Sequence, residues 1–157
     1  MRSIYIPMVL VILLMVCAGS GNAQTITINN DLSFGNVFPG IPKVVSKATA
    51  GSAAEFHVSG TAGNEVTIDF TLPTYMNLSG ANMQMIFHTT DCAVDSSASP
   101  DQSNPGADNL NPWHTITYRL GSTGLTIWLG GTVVPKLIQT NGSYAASIVL
   151  TVAYTGS

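Results

Sequence analysis

The C-terminal stretch, residues 141–154, constrains the fold more than any other part of the chain, because its apolar residues recur at every second position. This apolar row consists of Tyr144, Ala146, Ile148, Leu150, Val152 and Tyr154. Successive side chains of a β-strand point to opposite faces, so a period of two predicts a long strand with one buried face. One strand cannot bury such a row alone, and the rest of the chain must therefore supply a second sheet.

Shorter segments upstream repeat the same pattern. Residues 53–59, 66–72 and 125–129 alternate apolar with other side chains, which predicts further strands. A short alternating segment near the N-terminus and its continuation carry Ile26, Ile28, Leu32 and Phe34. About seven strands with turn residues between them, and no helical periodicity after the leader, predict an all-β fold: an antiparallel, immunoglobulin-like β-sandwich.

The first 23 residues have the features of a cleaved, helical signal peptide. Arg2 provides a positive start, residues 4–16 are apolar, and small residues at 21–23 favour cleavage before Gln24. The apolar run is shorter than the roughly 20 residues that span a bilayer, which argues against a membrane anchor. We therefore expect an exported protein, in the periplasm, at the cell surface or extracellular, with one domain over 24–157 and no membrane span after cleavage.

Cys92 is the one cysteine that remains when the leader, with Cys17, is removed. The domain therefore cannot form an internal disulfide. No histidine lies directly beside Cys92 in sequence to activate its thiol and nothing marks it as a metal ligand, so we predict a small buried residue at a strand end rather than a reactive group. Pairing with a cysteine of another molecule stays open as an alternative.

The sequence offers no catalytic or cofactor-binding pattern. His57, His88 and His114 lie on separate segments without the spacing of metal ligands. Without the leader, four Lys and Arg residues stand against eight Asp and Glu residues, a net charge of −4. Nucleic-acid binding requires clustered cations, which this composition does not provide. We therefore predict a protein that is not an enzyme and has no cofactor, no metal and no nucleic-acid partner.

The segment 90–112 differs from its surroundings, because it is rich in Asp, Ser, Asn, Pro and Gly. Such a composition predicts a long polar loop inserted into the sandwich. Its carboxylates are of the type that calcium prefers, although they do not follow the EF-hand pattern. Trp113 beside the loop is a candidate aromatic surface for a sugar, whereas Trp128 lies in an apolar strand and is predicted to be core. The candidate binding residues are Asp91, Asp95, Asp101, Asp108 and Trp113.

Four motifs allow comparison with known families. They are Asp31-Leu32-Ser33-Phe34-Gly35 followed by Val37 and Pro39-Gly40, the segment 53–63, Leu129-Gly130-Gly131-Thr132, and Gly142-Ser143-Tyr144 leading into Val152-Ala153-Tyr154. In combination they resemble the DUF4402 family of exported bacterial domains. The ending is also similar to spore coat protein U domains and, more distantly, to subunits of chaperone–usher pili.

The resemblance implies a secreted or cell-surface structural subunit, fimbria-like or coat-like. Its implied partners are further copies of itself, other surface subunits and a periplasmic chaperone. In the pilus relatives each subunit lacks one strand, which the N-terminal extension of a neighbour supplies by β-strand complementation. An apolar groove beside the last strand is stabilised when an alternating peptide fills it and adds main-chain hydrogen bonds.

Two sets of assembly residues follow from this comparison. The N-terminal set, a donor or the first strand of its own domain, is Ile26, Ile28, Leu32 and Phe34. The C-terminal set is the apolar row of residues 141–154 described above. The alternative is a monomeric surface module for carbohydrate binding or calcium-dependent adhesion.

Overall fold

The computed structural model describes residues 24–156, which form twelve strands and no helix. The predicted signal peptide, residues 1–23, lies outside the described residues. The strands are β1 (Thr25–Asn30), β2 (Lys43–Val45), β3 (Ala54–Ser59), β4 (Glu65–Thr71), β5 (Tyr75–Leu78), β6 (Ala81–Ile86), β7 (Cys92–Asp95), β8 (Ala107–Leu110), β9 (Ile116–Arg119), β10 (Leu125–Leu129), β11 (Gly131–Val134) and β12 (Val149–Tyr154). Over this range the chain has no helix that is long and apolar enough to cross a membrane.

The strands form three antiparallel sheets. The five-stranded sheet has the order β1-β3-β10-β7-β8, the four-stranded sheet β2-β11-β6-β5, and the three-stranded sheet β12-β4-β9. The prediction of an all-β, antiparallel sandwich is therefore confirmed. The strand number exceeds the predicted seven because several segments are short or are divided where the chain passes from one sheet to another.

The junction between β10 and β11 shows how one continuous segment serves two sheets. Only Gly130 separates these strands, and its N–H donates to the Asp91 carbonyl at 2.8 Å. A Cβ atom at this position would lie 2.6 Å from both the Val45 carbonyl oxygen and the Lys47 amide nitrogen. Glycine is therefore required where the β2–β3 connection crosses this junction.

The core lies between the inward faces of the three sheets. On β3 the side chains of Ala54, Phe56 and Val58 are buried, while Glu55 and His57 are only half-buried. The aromatic rings of Phe56 on β3 and Phe70 on β4 meet with centroids 6.2 Å apart at 59°. The five-stranded and three-stranded sheets thus pack face to face, as the alternating patterns predicted.

The predicted loop at 90–112 is wrong at both ends. Residues 92–95 form β7, all of whose residues are buried, and residues 107–110 form the edge strand β8. Between these two strands, the stretch from 96 to 106 has no strand. The apolar part of β7 is just three residues long and is followed by Asp95, so a composition-based prediction missed it.

The predicted C-terminal strand begins later than its sequence pattern suggests. The ladder with β4 starts at Val149, and upstream of it only Ala145 makes an isolated bridge, to Asn77 of β5. Between these two pairs, three residues of the C-terminal segment (146–148) face five residues of the β4–β5 segment (72–76). The additional residues include Pro73, which cannot donate to a ladder and is therefore found at interruptions of this kind.

Candidate functional site

The inward face of β1 is only partly covered. Ile26 pairs with Val58 and Ile28 with Phe56 of β3, so both isoleucines lie on the face that carries the core. Nevertheless, Ile26 is 37% exposed and Ile28 is 63% exposed. The three-stranded sheet, which forms the layer opposite β1, therefore does not extend far enough to bury these two side chains.

The strand that ends the opposite layer is β12. Its residues Leu150, Val152 and Tyr154 pair with inward residues of β4. The Thr155 N–H donates to the Glu65 carbonyl at 3.1 Å, and hydrogen-bonded and non-bonded pairs alternate along an antiparallel ladder. The main-chain groups of these three inward residues therefore point away from β4.

Within residues 24–156, β12 pairs only with β4, so its second edge has no neighbouring strand. One polar group of that edge is nevertheless satisfied, because the Gln24 side-chain amide Nε2 donates to the Val152 carbonyl oxygen. Gln24 immediately precedes β1. It thus joins the start of the first strand to the open edge of the last strand.

An apolar groove runs between the N-terminal segment and the C-terminal segment. It consists of two adjoining hollows of about 550 Å³ and 390 Å³ that share Leu32, Met76 and Tyr144 in their walls. Further apolar lining residues are Ile28, Phe34, Phe56, Met83, Met85 and Ile148. We refer to these two hollows together as the groove.

The groove contains most of the predicted assembly residues. Leu32 and Phe34 follow β1 as irregular chain, with Phe34 buried and Leu32 half-buried. On the other wall, Tyr144 and Ile148 are half-buried and pack against the core, whereas Ala146 is exposed. The Tyr144 hydroxyl donates to the Thr140 carbonyl at 2.8 Å, which closes the turn before this wall.

At the end of β12, the Tyr154 side chain connects the last strand to the β3–β4 turn. Its hydroxyl oxygen accepts a hydrogen bond of 3.0 Å from the Thr61 N–H. A Cβ atom on Gly60 would lie 2.3 Å from this hydroxyl, so glycine is needed for the contact. The predicted C-terminal set therefore divides into groove residues, which are Tyr144, Ala146 and Ile148, and inward residues of β12.

The carboxylates of the predicted binding loop do not converge. Asp91 accepts from the His88 N–H at 2.7 Å, Asp101 accepts from the Ser103 N–H at 2.9 Å, and Asp108 forms an ion pair with Lys47 at 3.0 Å. In the described range, no group of three or more His, Cys, Asp or Glu residues could hold a metal ion.

Asp95 organises the irregular stretch 96–106. Its carboxylate accepts from the Ser97 N–H at 2.8 Å and from the Asp101 N–H at 3.0 Å. Burial raises the pKa of Asp95, but these amide hydrogen bonds outweigh burial and hold the pKa below its usual value. The residue is therefore a structural anchor of the turn in its charged form.

The stretch anchored by Asp95 covers the outer face of the five-stranded sheet, which the sequence did not predict. Trp128 is only 3% exposed although it faces outward on β10, and its Nε1–H donates to Glu55 Oε2 at 3.2 Å. Nearby, His57 Nδ1 and Thr126 Oγ1 are 3.3 Å apart. These residues, together with Ala98, Pro100, Gln102 and Thr123, line a hollow of about 410 Å³.

Trp113 is 53% exposed and fixed in position. Its Nε1–H donates to the Phe87 carbonyl at 2.8 Å, and the two rings form a T-shaped pair with centroids 6.4 Å apart. One face of a rigid indole is thus available at the surface.

The prediction for Cys92 is confirmed, because the residue starts β7 and is fully buried. Burial raises the pKa of its thiol to about 12. The folded domain therefore keeps this thiol protonated and out of contact with solvent.

Comparison with protein families gives one finding that covers the groove and both of its walls. The model described as "Domain of unknown function (DUF4402)" matches residues 21–154. No curated protein shows significant sequence similarity to the chain. The matched range includes all strands from β1 to β12, so the motifs that carried the resemblance belong to the same folded unit.

Proposed function

The chain belongs to the DUF4402 family, and from this premise we propose that it is a secreted or cell-surface structural subunit, fimbria-like or coat-like, that assembles by β-strand complementation. The proposal includes export, which the pattern of residues 1–23 supports. The site of assembly is the groove and the open edge of β12.

The observation that carries the proposal is the uncovered inward face of β1 opposite an unpaired edge. Ile28 faces the core side but is 63% exposed, and the edge of β12 has unpaired main-chain groups directed toward the open side. A strand added about 4.8 Å from β12 would continue its sheet. Its inward side chains would then cover Ile26 and Ile28, so the same addition satisfies both features.

The occupant that we propose is an extended segment of a second copy. The two edge strands beside the opening, β1 and β12, both have apolar residues at alternate positions. If β1 is exchanged between copies, the assembly is open-ended and forms fibres. If two β12 edges pair with each other, the contact is two-fold symmetric and forms dimers within a larger coat.

A proline at position 150 tests complementation directly. The Leu150 N–H points away from β4, so Leu150→Pro removes a donor of the open edge without removing a hydrogen bond to β4. Thr151→Pro is the matched control, because the Thr151 N–H points toward β4. We expect Leu150→Pro to remain folded and to lose assembly, and Thr151→Pro to lose β12 altogether.

The readout is the molar mass of the chain beginning at Gln24, measured by light scattering over a range of concentrations. A variant without residues 24–30 distinguishes the donors: loss of assembly identifies β1 as the exchanged strand, and persistence of assembly identifies paired β12 edges. A chain that stays monomeric throughout, or assemblies that Leu150→Pro leaves intact, would contradict the proposal.

A second candidate function is carbohydrate binding at Trp113. The observation that favours it is the rigid, half-exposed indole held by Phe87, since aromatic faces stack against sugar rings. Glycan-dependent quenching of tryptophan fluorescence that disappears in Trp113→Ala would support this module. Quenching that persists in Trp113→Ala would exclude it.

A further inference from the structure

An exposed apolar surface lies at the end of the groove where Phe38 lines the larger hollow, away from the groove's β12 edge. It is formed by two loop tips, one with Phe38 and Ile41 and the other with Leu137 and Ile138. Their exposed fractions are 68%, 61%, 85% and 95%, respectively. We call these four residues the apolar tip.

The two loops of the apolar tip are held together by the backbone. The Gly40 N–H donates to the Lys136 carbonyl at 3.0 Å, and a Cβ atom on Gly40 would lie 2.7 Å from Leu137 Cδ2. The Ile41 N–H closes a turn with the Phe38 carbonyl at 3.1 Å. The four side chains therefore form one surface rather than two independent loops.

The second loop places its polar side chain inward and its apolar side chains outward. Gln139 Oε1 accepts from the Lys136 N–H at 3.0 Å, and Gln139 Nε2 donates to the Asn82 carbonyl at 3.1 Å. Leu137 and Ile138 lie between these two anchored residues and point into solvent. This arrangement is the reverse of an ordinary surface turn, in which the apolar residues would be the ones covered.

The charge around the apolar tip is also unlike that of the whole chain. The four-stranded sheet and its loops, residues 32–46, 72–87 and 130–148, contain no Asp or Glu but include Lys43 and Lys136. Lys136 is exposed, and its Nζ donates to Asn82 Oδ1 at 2.7 Å. An acidic protein thus presents apolar side chains next to cations at this one end.

From these observations we propose that the apolar tip binds the surface of a lipid bilayer that contains anionic headgroups. Exposed apolar side chains insert at the boundary between headgroups and acyl chains, and neighbouring lysines are attracted to the negative surface. A bilayer does not have to be complementary in shape to the tip, so it can accommodate a side chain as exposed as Ile138.

A second copy of the chain fits this surface less well. Contact between two apolar tips would bring Lys43 and Lys136 of both copies together, which is unfavourable. The apolar tip of one copy could instead contact the opposite end of a second copy, which lies roughly 30 Å from the tip along β10 and β11. That end consists of the turns at residues 60–64, 96–106 and 121–124. These turns carry none of the exposed large apolar residues that the structure describes, so they would leave the tip without an apolar partner.

The test is co-sedimentation of the chain beginning at Gln24 with vesicles. The protein that begins at Gln24 contains all of the described core. It lacks the apolar run 4–16, which would bind membranes by itself. The probes are phosphatidylcholine vesicles with and without an equal amount of phosphatidylglycerol. We expect at least tenfold stronger partitioning into the anionic vesicles.

Three variants locate the contact. Leu137→Ser combined with Ile138→Ser should weaken partitioning at least tenfold, and Ile138→Ser alone serves where the double variant unfolds, because Ile138 is 95% exposed. Lys136→Gln should weaken binding to anionic vesicles about fivefold and reduce its salt dependence. Tyr75→Ser is the control, since Tyr75 is an exposed residue of the same four-stranded sheet outside the tip, and it should bind as the parent does.

Equal binding by the parent and Ile138→Ser, or equal binding to neutral and anionic vesicles, would overturn the proposal. The proposal would also fail if light scattering without vesicles shows dimers that Ile138→Ser dissociates while no vesicle binding is seen. That result would assign the apolar tip to a contact between copies. Loss of strand complementation in Leu150→Pro leaves the membrane result unaffected, so the two proposals fail separately.

Discussion

The isoleucines of β1 provide the sharpest test of whether a further strand joins the sandwich. Ile28→Ala and Ile26→Ala remove the same three carbons from the same face of one strand. The two residues differ in how much of each is already buried in the single chain, with Ile26 37% and Ile28 63% exposed. We therefore expect the two substitutions to act on different equilibria.

The expected magnitudes follow from the exposed fractions. Three methylene-sized groups contribute about 2.4 kcal/mol when fully buried. For Ile28, 63% exposed, about 1.5 kcal/mol of this remains to be gained in assembly and about 0.9 kcal/mol stabilises the isolated chain. For Ile26, 37% exposed, the two values are reversed. Ile28→Ala should thus weaken assembly about tenfold, and Ile26→Ala should mainly lower the free energy of unfolding.

Two assays separate these effects. Urea unfolding at a concentration where the chain is monomeric measures the free energy of unfolding, and light scattering at rising concentration measures assembly. Thr27→Ala is the matched control, because Thr27 lies between the two isoleucines and pairs with His57 on the outward face. It should leave assembly within about twofold of the parent, a difference below 0.5 kcal/mol.

The reasoning would be refuted if Ile28→Ala and Thr27→Ala assembled equally well. It would also be refuted if Ile28→Ala reduced the free energy of unfolding more than Ile26→Ala did. Either result would mean that the exposed face of β1 remains uncovered in the assembled protein.

Three further predictions concern the stability of the sandwich. Asp95→Asn should lower the free energy of unfolding at pH 7 by about 1 to 2 kcal/mol, because a charged acceptor of two amides is lost. The pKa of Asp95 is lower in the folded state, so its contribution to the free energy of unfolding is present above the unfolded pKa of about 3.9 and is lost as pH falls through the folded pKa. The free energy of unfolding of Asp95→Asn should therefore decline less steeply than that of the parent as pH is lowered. An unchanged pH profile would contradict this role. Gly130→Ala should lower the free energy of unfolding by more than about 3 kcal/mol, because the new methyl group meets the backbone at Val45. Gly51→Ala is its control: it has a φ of +72° but open space around it, so urea unfolding should show a loss of about 1 kcal/mol. Cys92 should react with a thiol reagent only at the rate of unfolding, since it is buried and protonated; fast modification of the native protein would show that β7 opens locally.

The sequence was most informative about strand orientation where one face of a strand is buried and the other is exposed to solvent. On β3, the alternation of Phe56 and Val58 with His57 gave the correct faces, because the side-chain period of two is a local property of an extended chain. The same reasoning placed Leu150 and Val152 inward on β12. Both strands lie where a polar or open outer face keeps the pattern visible.

Local patterns failed where long-range contacts decide the outcome. All five residues of β10 are buried, because residues 96–106 cover its outer face and place Trp128 beneath them. Nothing near Trp128 in sequence indicates that cover. Likewise, Ile28 is exposed because the opposite layer ends at β12 with no further strand beside it, and the apolar tip depends on the contact between Gly40 and Leu137. These features require the fold to be known.

The groove itself was predicted only through family resemblance. Its floor comes from the middle of the chain, at Phe56, Met76 and Met85, while its walls come from opposite ends. No window of sequence contains both walls. The sequence therefore identified the residues of the two walls, but only the fold shows that the two walls lie next to each other.

The pairing of β4 with β12 also has a consequence in time. Val149 follows Thr71 by 78 positions, so β4 and β12 can pair only after a long loop of chain has closed. Until that loop closes, this edge of β4 has no partner, and such an edge recruits other extended chains. A chaperone that binds extended edges would therefore act between the folding of β4 and its pairing with β12.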